Sequence, residues 1–462
     1  MKLLARFGLC GLDRLRLMTF RRSIGLRSVH HLVGNMETPI NPREPSGSPP
    51  AATAAIHPRW QMLSLDGRPS HSVADSSTMA ECQTSTGQQL RVSFGLVAPP
   101  ANSFLYYSLA GSTPDDVRHA GGPAVMAAHG DSVLLEIRHR IRCSSRFDYF
   151  VYRAAGAARP PSLCLLPALD YHEMFEPEEH GAPLSPGERM LLKETTGLLR
   201  RGEDELLVVS LKVRYENWVP QDTAGLCVFR LGGRQWEFKE AVPIVLHDRD
   251  ELEQWLHYES SVVPIGDRFL CWVNYLCGFL LLDITEASPK LRYVPLPVQP
   301  HKRRGCSCCE LEPEGQNFRN MCAAGADVVR FVSIDPRCCC GGPGTSTCAH
   351  SQFAFTVTSW TLSLSMDKPM TWVKDGVLDC VELWSQPGYE GLPRVHVQCP
   401  IVSSDNPDII CFRVSDERFV NYKDGKVWML EVDIRKKAIL SVVPCTDERW
   451  TSRFHLPAKL HG

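Results

Sequence analysis

The segment GDRFLCWVNYLCGFLLLDITEASPKLRYVPLP, residues 266–297, decides the fold class. It holds three short runs of apolar, β-branched and aromatic residues, separated by Gly, Pro, Asp and Asn, which is the pattern of β-strands joined by turns. Its longest apolar stretch, residues 269–284, is shorter than the roughly 20 residues that a membrane-spanning helix requires, and Asn274 interrupts it. We therefore predict three successive strands and no membrane contact.

The same order of turns and strands recurs along the chain. A Gly or acidic turn precedes an apolar strand, a second apolar strand follows, and the third strand ends at or near Pro. Further groups occupy residues 130–169, 203–244, 325–380 and 408–445. Because a single meander cannot bury its apolar face alone, the groups must stack on one another.

Radial stacking of such groups gives a β-propeller. Strands within residues 90–111 are expected to close the ring against the last group. We predict an all-β propeller of about six blades, with five or seven open, and a two-sheet sandwich as the alternative. Residues 185–205 and 248–260 have the composition of short helices in the connections.

The rest of the chain separates into a propeller domain, residues 58–450, and an N-terminal extension. Residues 36–57 are rich in Pro, Ala and Ser and predict a disordered linker. Residues 1–35 carry many Arg residues against the single acid Asp13, which is typical of a transit peptide, unless translation starts at Met36. We expect a mitochondrial protein in the first case and a cytoplasmic or nuclear one in the second.

Composition limits the classes of function. Hydrophobic residues make up 44% of the chain and the formal net charge is -2, which is typical of a globular protein and gives no basis for a nucleic-acid partner. The 19 cysteines, an odd number, predict mainly free thiols in a reducing compartment.

Cysteines concentrate in two segments, which are the candidate metal site. The spacing of Cys306 and Cys309 suits two thiolates on one tetrahedral zinc ion, and a second segment follows about thirty residues later. The alternative is a pair of cysteine-bearing loops without a ligand role. The second segment offers the remaining candidate ligands Cys338, Cys340, Cys348 and His350.

Other short motifs do not predict catalysis. HGDSVLL, residues 129–135, resembles the nucleophile block of Gly-Asp-Ser hydrolases, but its Asp-x-x-His partner, Asp116 to His119, precedes Ser132 instead of following it. Residues 170–180 lack the His-Glu-x-x-His spacing of a hydrolytic metal site. We therefore predict no catalytic residue, and interpret Ser132 as part of a turn that begins a strand.

Several ordered blocks carry a family resemblance: AVMAAHGDSVLLEI, FTVTSWTL, VELW, PIVSSDNPDIICF and residues 269–297. Together they resemble the plant family called domain of unknown function 1618, from about residue 91 to 445 and most strongly over 260–384. The repeats are also similar to the propeller-like regions that follow F-box motifs in plant ubiquitin-ligase adaptors, although no F-box helices are recognisable before residue 91. The resemblance implies no activity, catalytic residue or cofactor.

These observations favour a non-catalytic module that binds an unidentified protein partner through loops at one face of the ring. A zinc-binding regulator or an enzyme that uses the region from Cys306 to His350 is the alternative. Tryptophans in or beside the predicted strands are expected to fill the space between blades.

Overall fold

The computed structural model describes residues 60–70, 75–111, 122–141, 144–156, 159–169, 190–216, 219–246, 248–256, 260–298, 315–337, 353–416, 426–445 and 455–460. Over these residues the chain is all-β, as the sequence predicts, and α-helices occur only in connections. None of these helices is long and apolar enough to cross a membrane. The extension at 1–35, the linker at 36–57 and all six candidate zinc ligands lie outside the described residues.

Both ends of the described chain meet in one six-stranded sheet. The C-terminal strand pairs antiparallel with the first strand, with Gln61 opposite Ala458 and Ser64 opposite His455. We call these strands group 1, and its order is β26, β1, β5, β4, β3, with β2 beside β5. The strands are β1 (Gln61–Ser64), β2 (Arg68–Pro69), β3 (Ala80–Gln83), β4 (Gln89–Gly95), β5 (Asn102–Leu109) and β26 (His455–Ala458).

The other described strands form five groups, each a meander of four antiparallel strands in chain order. Groups 2 and 3 are β6 (Ala124–His129), β7 (Ser132–Ile141), β8 (Ser144–Arg153), β9 (Ser162–Leu165), and β10 (Thr196–Arg201), β11 (Glu205–Glu216), β12 (Val219–Arg230), β13 (Glu237–Val245). Group 4 is β14 (Ser261–Ile265), β15 (Phe269–Asn274), β16 (Gly278–Asp283) and β17 (Leu291–Pro295). Groups 5 and 6 are β18 (Arg319–Ala323), β19 (Val328–Pro336), β20 (Phe355–Ser363), β21 (Val373–Asp379), and β22 (Gln398–Val402), β23 (Ile409–Ser415), β24 (Val427–Asp433), β25 (Ala438–Cys445).

Groups 3 and 4 share one eight-stranded sheet. Their last strands, β13 and β17, pair in parallel over two residues, Ile244 opposite Leu291 and Val245 opposite Arg292. Short helices lie in the connections between groups: α1 (Arg249–Leu256), α2 (Gly315–Phe318) and α3 (Cys380–Trp384).

The first strands of groups 2 to 6, together with β26, form a closed circuit. β6 contacts β10, β10 contacts β14, β14 contacts β18, β18 contacts β22, β22 contacts β26, and β26 contacts β6. The C-terminal strand therefore stands between the first and last meanders. This strand lies beyond residue 450, the domain boundary that the sequence analysis expects.

A separate apolar core fills the space between each pair of neighbouring groups, including groups 6 and 1. Alternate side chains of one strand enter the two adjacent cores. Leu134, for example, packs between groups 2 and 3, whereas Leu135 packs between groups 1 and 2. This double burial explains why the strands are almost continuously apolar in sequence.

The two segments with helix-like composition have different structures. Within 248–260 the chain forms α1, whereas within 185–205 the described residues include strand β10. Leu198 packs between groups 2 and 3 while Leu199 packs between groups 3 and 4, so adjacent side chains enter opposite cores. A strand places adjacent side chains on opposite faces and a helix does not, which is why tertiary packing overrides the local composition.

Tryptophans link neighbouring groups as well as filling the cores. Trp272 is completely buried. The indole Nε1 of Trp236 donates to the carbonyl oxygen of Pro167 at 3.1 Å, and that of Trp372 donates to Pro295 at 2.9 Å. In both cases the acceptor belongs to the preceding group, so each contact ties one group to the next.

The turn between β14 and β15 requires glycine. Gly266 has φ +56°, and a Cβ there would clash with the backbone carbonyl oxygen of Ala326 in group 5. We expect Gly266→Ala to lower the free energy of unfolding by about 3 kcal/mol, because backbone strain and a clash with backbone add. Gly202→Ala is the matched control, since φ is +59° but nothing lies within 4 Å, and about 1 kcal/mol is expected. Urea denaturation measures both, and equal losses would exclude the close approach.

Candidate functional site

A cavity of about 710 Å³ lies inside the circuit of first strands. That volume is within the range of small-molecule binding sites. Its wall is mainly apolar where β6, β14, β18, β22 and β26 face the centre. Apolar side chains on this wall include Met126, Val262, Pro264, Met321, Ile401 and Leu456.

The ends of the cavity differ in chemistry from its wall. One end, here called the hairpin end, is where the first strands finish and turn into the second strands. The opposite end is where the first strands begin. The hairpin end carries His129, Arg200, Asp267, Asp405 and Lys459, and the opposite end carries Lys193, Glu194, Ser261, Tyr275 and Asn320.

Hydrogen bonds and ion pairs join neighbouring groups at the hairpin end. The backbone N–H of Arg200 donates to Nδ1 of His129 at 2.9 Å, and the backbone N–H of Lys459 donates to the carbonyl oxygen of Gly130 at 2.8 Å. The Lys459 ammonium pairs with Asp405 at 2.8 Å. Asp131, beside the cavity, pairs with the guanidinium groups of Arg200 and Arg159. These contacts hold the groups in a fixed arrangement around the cavity.

His129 is neutral at physiological pH. Burial and the nearby charge of Arg200 lower its pKa to about 4. Since Nδ1 accepts a hydrogen bond, the hydrogen-bond network assigns the proton to Nε2. This N–H has no partner among the residues that the structure describes, so His129 offers a free donor to the cavity.

NMR tests the protonation of His129 directly. We expect its imidazole to titrate with a midpoint near the lowered pKa of about 4 and to remain the Nε2–H tautomer from pH 6 to 8. Long-range ¹H–¹⁵N spectra distinguish the two tautomers, and His129→Asn identifies the resonance. A midpoint near the ordinary histidine value of about 6.5 would contradict this environment.

The opposite end combines the Lys193–Glu194 ion pair with uncharged polar groups. Ser261 Oγ donates to the Tyr275 hydroxyl at 3.2 Å, and burial raises the pKa of Tyr275 to about 12. Asn320 lines the cavity, and its side-chain amide has no hydrogen-bond partner within the described ranges. Nearby on β7, burial followed by the charge of Glu194 raises the pKa of Glu136 to about 7.

The structure places Ser132 at the start of a strand, directly after a turn, and not beside a histidine. Gly130 and Asp131 form the turn between β6 and β7, and Ser132 is the first residue of β7. The Ser132 hydroxyl is fully buried and donates to the Asp131 carboxylate at 2.8 Å. The neighbouring His129 bonds instead to Arg200, so this segment has no serine–histidine pair.

The strands that flank the two cysteine segments bring both segments to one end of group 5. The segment with Cys306 and Cys309 lies between β17 and β18, and the segment from Cys338 to His350 lies between β19 and β20. Arg319 pairs with Ser333, and Pro336 pairs with Phe355. Both segments therefore join the sheet at the end where β18 begins. In the part of the chain that the structure describes, no group of three or more His, Cys, Asp or Glu side chains is arranged to hold a metal.

Residues 272–411 match the family described as "Protein of unknown function (DUF1618)". This match confirms the resemblance found in the ordered sequence blocks, and it extends from β15 to β23. No curated protein matches the chain.

Solved structures show only distant likenesses. The WD40 domain of SCAP from fission yeast is 9% identical with a TM-score of 0.28, over 79% of this chain and 73% of that one. The catalytic domain of Coprinopsis cinerea GH62 α-L-arabinofuranosidase is 9% identical with a TM-score of 0.26, over 79% and 93%. The phage phi92 endosialidase is 8% identical with a TM-score of 0.31, over 79% and 65%. With TM-scores this low, none of them assigns an activity to this chain.

Proposed function

We propose that this chain, part of which matches a family without an assigned activity, is a six-bladed β-propeller that serves as a non-catalytic binding module for another protein. Two observations support six blades. The closed circuit contains six strands, and a separate apolar core lies between every pair of neighbouring groups. Group 1, which combines both chain ends, is the sixth blade and closes the ring.

The proposal rests on the difference between the two faces of the ring. At the hairpin end the first and second strands are joined by tight turns, as between His129 and Ser132. At the opposite end the connections are long, from Leu165 to Thr196, from Pro295 to Arg319 and from Pro336 to Phe355. We call this end the connection face. Long loops on a rigid scaffold are where binding residues are usually found, and a ring holds them together on one surface.

The chemistry of the cavity supports a non-catalytic role. At the hairpin end, the Asp405 carboxylate is paired with the Lys459 ammonium. Nδ1 of His129 already accepts a hydrogen bond from the backbone N–H of Arg200. Within the described residues, the cavity wall offers no serine or cysteine paired with a general base. Acyl or glycosyl transfer requires a nucleophile or acid positioned beside a proton acceptor.

Loop replacement tests the binding face. Residues 172–187 and 301–314 are replaced by Gly-Ser linkers of equal length, one segment at a time, and Glu203→Ala/Asp204→Ala on the hairpin face is the control. Each protein is used in affinity purification from its native cells with quantitative mass spectrometry. A partner that binds wild type and control but is lost by a loop variant with unchanged circular dichroism supports the proposal. The same set of proteins on all variants contradicts it.

A second candidate, a zinc-dependent regulator or enzyme, is favoured by the position of the cysteine segments. Because both segments join group 5 at the same end, their lengths allow Cys306 and Cys309 to meet ligands from Cys338, Cys340, Cys348 and His350 on one zinc ion. Elemental analysis of the purified, reduced protein tests this. One zinc per chain, lost in Cys306→Ser/Cys309→Ser and kept in Cys82→Ser/Cys164→Ser, supports the candidate, whereas a folded wild type without metal removes it.

The cellular compartment is predicted from the composition of residues 1–35. N-terminal sequencing of the native protein distinguishes a removed transit peptide, expected in mitochondria, from a start at Met36, expected in the cytoplasm or nucleus.

A further inference from the structure

The central cavity is large enough for a small molecule, and it is lined by side chains that favour an apolar ligand. Valine, proline, methionine and isoleucine side chains from four different first strands face its middle. Water in contact with such a wall has few hydrogen-bond partners, so replacing it with an apolar group is favourable. The middle of the cavity therefore favours the binding of a hydrocarbon group.

Five of the six charged side chains around the cavity are already paired with another charge. Its wall includes three cations, Lys193, Arg200 and Lys459, and three acids, Glu194, Asp267 and Asp405, so formal charges cancel. Lys459 pairs with Asp405, Lys193 lies 3.7 Å from Glu194, and Arg200 pairs with Asp131. Asp267 is exposed to water. An anionic ligand would have to lose hydration without gaining an unpaired counterion, which is costly. A cationic ligand would gain only the exposed Asp267 carboxylate, whose attraction is weakened by water.

Hydrogen-bonding groups remain at both ends of the apolar middle. At the hairpin end the Nε2–H of His129 points to no acceptor in the described chain, because Nδ1 is the atom held by Arg200. At the opposite end, the Asn320 amide offers both a donor and an acceptor. Each end can thus bind a neutral oxygen atom such as that of a hydroxyl, ether or carbonyl group.

We infer that the cavity binds an uncharged, elongated and mainly apolar small molecule, with an oxygen at one end accepting a hydrogen bond from His129 and a polar group at the other end near Asn320. The cavity reaches the connection face at its Asn320 end, but its binding groups His129 and Asn320 lie on first strands and not on the long connections. Binding in the cavity can therefore be tested independently of protein capture.

Three probes with the same hydrocarbon chain and different head charges test the inference: 1-decanol, decanoate and decylammonium. We expect 1-decanol to bind with a dissociation constant in the micromolar range and to raise the melting temperature. Decanoate and decylammonium are expected to bind at least tenfold more weakly. Equilibrium dialysis gives the affinities, with full-length protein below the probes' micelle-forming concentrations.

Two cavity variants and one control locate the binding. His129→Asn keeps an acceptor for the Arg200 N–H but removes the imidazole donor, so about fivefold weaker decanol binding is expected. Asn320→Phe fills part of the cavity and should abolish binding. Cys164→Ser, at an exposed position on β9, should bind as wild type does. The inference is overturned if wild type binds no 1-decanol, if the three probes bind equally, or if both cavity variants bind 1-decanol like the control.

Discussion

Removal of residues 455–462 is expected to lower the free energy of unfolding by about 5 kcal/mol, as much as the entire stability of a marginal domain. The deletion removes β26, which contacts β6 on one side and β22 on the other and pairs with β1. It also exposes the buried side chains packed against Leu460, whose backbone N–H donates to Gln61 Oε1 at 2.8 Å. Without this strand the ring is open, and the cores of groups 1, 2 and 6 lose part of their cover.

Urea denaturation followed by tryptophan fluorescence measures the loss. A chain that ends at Leu460 is the matched control, since it keeps β26 and should unfold at the wild-type midpoint. A synthetic peptide of residues 451–462 should restore part of the lost stability to the longer deletion. If that deletion unfolds cooperatively at the wild-type urea concentration, β26 does not close the ring.

Asp148→Ala is expected to cost about 3 kcal/mol, because it leaves the buried His139 ring and the Ser85 N–H without their hydrogen-bond partner. The Asp148 carboxylate lies 2.9 Å from Nε2 of His139 and accepts from the backbone N–H of Ser85 at 2.7 Å. The two side chains are only 4% and 8% exposed. Because Ser85 belongs to the turn between β3 and β4, this contact ties group 2 to group 1. Glu81→Ala, which removes the exposed pair with Arg91, should change stability by less than about 1 kcal/mol.

The same carboxylate makes stability depend on pH in a defined direction. Burial opposes ionisation of Asp148, but hydrogen bonds from His139 and Ser85 outweigh it and lower its pKa. The contribution is therefore fully present above the ordinary Asp pKa of about 4 and is lost as the pH falls through the lowered folded-state value. Melting temperatures from pH 2 to 6 should fall less steeply on acidification for Asp148→Asn than for wild type. Parallel curves would contradict this assignment.

The outer three strands of groups 2 to 6 were predictable from sequence, and their first strands were not. Residues 266–297 contain β15, β16 and β17, each a short apolar run bounded by clear turns. The first strands have only five or six residues each, and Pro264 in β14 and Pro400 in β22 weaken the strand pattern. Proline is tolerated because each first strand is the edge of its sheet and faces the cavity, so its missing N–H leaves no ladder partner unpaired.

Closure of the ring depends on a pairing that local sequence does not reveal. Strand β26 has four residues, HLPA, and its partner β1 lies near the other end of the chain. No periodicity within four residues specifies a partner so distant, so the predicted propeller domain ends before β26, at residue 450.

The cavity was also hidden in the sequence. Its polar groups come from separate strands. No sequence motif contains both His129 and Asn320, so nothing in the sequence marks them as a pair. The nearest signal is the Gly-Asp turn, at residues 130–131 and 266–267, which recurs where a first strand ends. The sequence pointed instead to the cysteines, whose spacing is a local pattern but whose positions lie outside the described residues.

The pairing of β1 with β26 is tested most directly by a disulfide between positions 64 and 455. Residues that face each other in an antiparallel pair have Cα atoms about 4.5 to 5.5 Å apart, which matches disulfide geometry. After mild oxidation of Ser64→Cys/His455→Cys, peptide mapping by mass spectrometry should find these two cysteines linked. The control Ser64→Cys/Ala438→Cys, with the second cysteine on the outer strand β25, should give no such link. A closed ring predicts the 64–455 disulfide in most molecules with the stability of wild type or higher. Its absence, with both cysteines remaining reduced in folded protein, would contradict closure by the pairing of β1 with β26.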